Sequence, residues 1–173
     1  FRDIVKFYSS SHTSLITLRA IIEAIKDLDC VADVFISQLK EVCAIITNSQ
    51  PRMFPIDNLI ILFEQELEKQ EYFKDKNITT MKSASIEIIE KLIKRLEYDM
   101  SELAKQGLNH IEDGDFIILH AVEEPVELLM PEAKKMGKEF EVLILKQDAI
   151  KTIQVINIME QNSIKYTVIP EWD

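Results

Sequence analysis

The spacing of apolar residues changes character once along the chain, near Gly107, and that change divides the sequence. From Thr13, a suitable helix N-cap, apolar residues recur at Leu15, Leu18, Ile21, Ile22, Ile25 and Leu28, one face of an amphipathic helix. The pattern restarts after Asp29 as Val31, Ala32, Phe35, Ile36, Leu39, Val42, Cys43 and Ile46, and Asn48-Ser49-Gln50-Pro51 closes it with turn chemistry. A third helix is expected to begin near Pro55 and to turn Ile56, Leu59, Ile60, Phe63 and Leu67 inward. A long fourth is predicted from Thr80 to Gln106, with Ile86, Ile89, Ile93, Leu96, Met100 and Leu103 inward and Gly107 as its C-terminal cap.

Beyond Gly107 the period shortens. Asp113-Gly114-Asp115 is a turn, and Phe116-Ile117-Ile118-Leu119 is an uninterrupted apolar run, the pattern of a strand covered on both faces. Pro125 can open a helix that Pro131 kinks or restarts and Gly137 closes. Phe140 to Leu145 predicts a second strand, Ile150, Ile153, Ile156, Ile158 and Met159 a β-branched helix to about Gln161, and Ile164 to Ile169 a third strand. Strand, helix, strand, helix, strand with right-handed crossovers is half of a doubly wound sheet. The expected fold class is therefore α/β. An N-terminal helical domain, residues 1–106, precedes a partial Rossmann-like parallel sheet of about three strands with flanking helices, residues 107–173. Three parallel strands with open edges rarely finish a domain, so either a C-terminal half is missing or something else covers the sheet. The chain opens on Phe1 rather than Met, the expectation for a fragment.

Charge narrows the partners. Residues 1–106 carry 14 basic and 17 acidic side chains, net −3, whereas residues 107–173 carry 6 and 13, net −7. No basic stripe interleaved with aromatics offsets this, which argues against direct nucleic-acid binding. No apolar run approaches the roughly 18–20 residues that cross a bilayer, and no signal-peptide pattern opens the chain, so no membrane role is expected. Cys30 and Cys43 show no CxxC spacing and read as buried free thiols suited to a reducing cytoplasm.

Candidate chemistry gathers after the first two strands. Gly107, Gly114 and Gly137 are each assigned to a cap or turn, which leaves no glycine for a phosphate-cradling loop. No GxSxG, HExxH or metal-spaced Cys/His cluster occurs, so no cofactor and no metal are expected. His120 ends the first strand at the sheet edge where open α/β folds bind ligands, and it suits general acid/base work. The alternative is a strand-end imidazole hydrogen-bonded to nearby backbone. His12 and His110 read as surface or helix-junction residues. Glu123 and Glu124 could act as paired carboxylates or hold a hard cation, or could simply place negative charge at a helix N-terminus. With Asp148 they would weaken any phosphate site by like-charge repulsion.

Several of these residues carry a family resemblance. Ile111, Asp113-Gly114-Asp115 and Leu119-His120 form its first part. The stretch Ala133 to Phe140 (AKKMGKEF), Val142-Leu143-Ile144 and Ile164-Lys165-Tyr166-Thr167 complete it, behind the long helix running into Gly107. In this order and spacing the segment resembles the regulatory alpha, beta and delta subunits of eukaryotic initiation factor 2B. It also resembles their enzyme relatives, the ribose-1,5-bisphosphate and methylthioribose-1-phosphate isomerases. The isomerases place a cysteine directly after the strand-end histidine, where this chain has Ala121. After the second strand the family usually shows Glu-Ser-Arg-Pro and then a glycine; here stand Lys146-Gln147-Asp148-Ala149 and no glycine follows. Asp148 thus replaces an arginine able to grip phosphate bidentately. The family's catalytic aspartate belongs to a C-terminal half that this chain does not contain.

The resemblance implies a non-catalytic, translation-related protein that works through a protein partner or a homo-oligomer in the cytoplasm. In the family, the regulatory subunits bind a phosphorylated initiation factor and control guanine-nucleotide exchange. The alternative is a sugar-phosphate isomerase or binding domain lacking its C-terminal half. For that alternative, or for a nucleotide, the candidate ligand positions are His120, Ala121, Val122, Glu123, Lys146, Gln147 and Asp148, with His120 the candidate for catalysis.

Overall fold

A computed structural model describes residues 9–49, 51–69, 77–120, 124–146 and 149–170. Its compact units are Phe1–Leu96 and Glu97–Asp173. In the first, α1 (Ser10–Asp27), α2 (Ala32–Thr47) and α3 (Phe54–Glu68) are followed by the start of the 31-residue α4 (Ile78–Leu108). Helix α1 begins one turn earlier than its apolar pattern suggests. Ser9, not Thr13, is the N-cap, and its hydroxyl accepts the His12 amide at 3.2 Å. Thr13 lies buried inside the helix and donates its hydroxyl back to the Ser9 carbonyl at 2.9 Å. Pro55 occupies the first turn of α3, where its missing N–H costs nothing. The core of this unit is Leu18, Ile21 and Ile25 from α1, Phe35, Leu39 and Cys43 from α2, Ile56, Ile60, Phe63 and Leu67 from α3, and Met81, Ile88 and Ile89 from α4.

The second unit starts with the last turns of α4. Met100 and Ala104 are buried there while Leu103, expected inward, is 57% exposed. Gly107 is not a cap: it lies within α4, which ends one residue later. A Cβ at that position would lie 2.9 Å from a methyl of Leu129, the end of a side chain that would have to shift to admit it. Then follow β1 (Phe116–Leu119), α5 (Glu124–Lys135), β2 (Glu141–Leu145), α6 (Ala149–Gln161) and β3 (Lys165–Ile169). Helix α5 continues through Pro131 without restarting. It ends where Gly137, at φ +85°, lets the Lys138 amide reach the Ala133 carbonyl, a Schellman closure.

The three strands are parallel in the order β1-β2-β3, with Leu119 level with Ile144 and Ile144 level with Val168. Leu119, Val142 and Ile144 share one core with Met130 and Ala133 of α5 and with Val155 and Met159 of α6. Both crossover helices therefore cover the same face of the sheet, as two right-handed crossovers in one direction require. The expectation that β1 is covered on both faces does not hold among the described residues. Phe116 and Ile118 point to the opposite face and are 68% and 63% exposed.

Candidate functional site

The candidate site lies at the carboxyl ends of β1 and β2, which the parallel register brings level. His120 directly follows β1 and is exposed; Lys146 directly follows β2, is exposed, and donates its amide to the Ile169 carbonyl at 2.9 Å. The fold thus brings one imidazole and one ammonium to the same sheet edge. Glu124 is the first residue of α5. Ala121, Val122, Glu123, Gln147 and Asp148 lie outside the described residues.

The residues that carry the family resemblance have structural duties. In Asp113-Gly114-Asp115, Gly114 takes φ +90° and donates its amide to the Glu139 carbonyl at 2.7 Å. The Asp113 carboxylate accepts the Glu139 amide at 2.8 Å, and the Asp115 carboxylate accepts the Glu112 amide at 2.7 Å. The Asp115 carbonyl accepts the Glu141 amide at 2.9 Å, the first rung between β1 and β2. This turn is a clasp that sets the register of the sheet, and no reacting group is needed there. Lys138 adds a second clasp by donating its ammonium to the Leu108 carbonyl and, at 2.7 Å, to that of Ile111. Sequence reasoning missed it, because a lysine between a helix and a strand gives no sign of carbonyls some 30 residues upstream.

Other chemistry-bearing groups sit in the helical unit. Both cysteines are free; Cys43 is buried, but Cys30 is only half-buried, which corrects half of the buried-thiol expectation. Desolvation, with a smaller contribution from the nearby Glu64 carboxylate, pushes the Cys43 thiol up to about 12, so it is protonated and inert at neutral pH. Asp57, in the first turn of α3, accepts from the Arg52 guanidinium at 2.7 Å and is buried, with its other carboxylate oxygen lacking a partner. An open cavity of about 410 Å³ includes Lys26, Cys30, Thr79, Lys82 and Ser83 in its lining. Among the described residues, no group of three or more His, Cys, Asp or Glu is placed to hold a metal, and no helix is long and apolar enough to cross a membrane.

Comparison with known proteins places this arrangement. A Pyrococcus furiosus protein named as translation initiation factor eIF-2B subunit 2-like is 29% identical over 83 residues, which cover 47% of this chain and 30% of that protein. The tetrameric eIF2B-beta2-delta2 complex from C. thermophilum matches with a TM-score of 0.78 at 20% identity, covering 95% of this chain and 55% of its own. The 5-methylthioribose 1-phosphate isomerase of Pyrococcus horikoshii OT3 matches with a TM-score of 0.70 at 8% identity, covering 96% of this chain and 49% of its own. At those identities the structural matches establish the fold, and the chain spans about half the length of those structures. The model of the initiation factor 2 subunit family matches residues 6–170, nearly the whole sequence. The chain belongs to the initiation factor 2 subunit family.

Proposed function

We propose that this chain is a non-catalytic, translation-initiation-related protein that works through protein contacts, with residues 1–106 as a helical arm and residues 107–173 as the α/β body. The observation that carries the reading is the sequence at the sheet edge. A family match over residues 6–170 surrounds a strand-end histidine followed by Ala121 rather than a thiol, with Asp148 where a phosphate-gripping cation would serve. A loop rich in carboxylates repels a sugar phosphate, and Lys146 alone is a weak counterweight. The structural match to a complex of initiation factor 2B subunits supports an assembly role.

The second reading, a sugar-phosphate isomerase or binding domain, is favoured by the fold shared with methylthioribose-1-phosphate isomerase. One experiment separates the two. The chain is titrated with ribose 1,5-bisphosphate and methylthioribose 1-phosphate to millimolar concentration while the melting temperature and isomerase turnover are followed. The non-catalytic reading expects no turnover and no rise in melting temperature, because a ligand that does not bind the folded state cannot stabilise it. A concentration-dependent rise, or product formation, overturns it in favour of the second reading.

A further inference from the structure

We draw no further inference here: the strongest candidate, the cavity of about 260 Å³ between α1 and the end of α2, where Thr13, Thr17 and Ser49 donate their hydroxyls to backbone carbonyls three or four residues earlier, is an apolar groove, and nothing in the structure shows what covers it.

Discussion

Cys43 shows how far a single residue's environment can be read from its neighbours. The helical period put it on the inner face of α2, and it is there, between Leu39 and the rest of the helical core. Its thiol is held up to about 12 by burial and by Glu64, whereas the unfolded chain releases the proton near the ordinary thiol value of 9.0. The folded state keeps a proton that the unfolded state loses, so the contribution to stability is complete below pH 9 and declines between pH 9 and about 12. The limiting slope is about 1.4 kcal/mol per pH unit. Denaturant unfolding of wild type and Cys43→Ala across this window should give a difference that shrinks as pH rises, and a flat difference would contradict the assignment. Cys30, by contrast, gave the same sequence signal but lies half-exposed. An apolar period records which side of a helix is inward, not where the packed layer ends.

At the scale of elements, helices and strands were legible because their periods differ, and the misreadings fall at their ends. Thr13 looked like a cap because Ser9 precedes the apolar pattern by a full turn, and a cap is chosen by geometry rather than by the first inward residue. Gly107 looked like a stop, yet it lies within α4 and packs closely beside Leu129, a long-range neighbour that local sequence does not encode. The ends of α5 and α6 carry a sharper contrast. Gly137 closes α5 at φ +85°, while Ser163 closes α6 in the same left-handed region at φ +53°. Replacing Gly137 by alanine should cost roughly 1–2 kcal/mol, the penalty for a Cβ in that region. Ser163→Gly should stabilise by a few tenths to about 1 kcal/mol, because the strain relieved exceeds the added backbone entropy. Urea midpoints of the two variants should move in opposite directions; a shift of the same sign in both would show that φ is not what decides these termini.

For the whole molecule, the sequence conveyed the order of elements and half of a doubly wound sheet, while burial depended on information it does not hold. Phe116-Ile117-Ile118-Leu119 looked like a strand covered twice, since composition cannot distinguish a face that is covered from one that only could be. The candidate site was legible as a place, the edge holding His120 and Lys146, because strand ends follow from the alternation of elements. The exposed face has a direct consequence. Phe116→Ser with Ile118→Thr should lower binding of an apolar fluorescent dye while changing unfolding free energy by less than about 1 kcal/mol, since little apolar area is withdrawn from water there. A large loss of stability would show that these side chains are covered in solution. The Lys138 clasp, finally, concerns time rather than shape. The carbonyls of Leu108 and Ile111 stay unclasped until the lysine beyond α5 has been made, and β1 has no partner strand until β2 follows it. During synthesis the helical unit can close on its own core while the lead-in to β1 waits, so the second unit forms only once translation has passed β2.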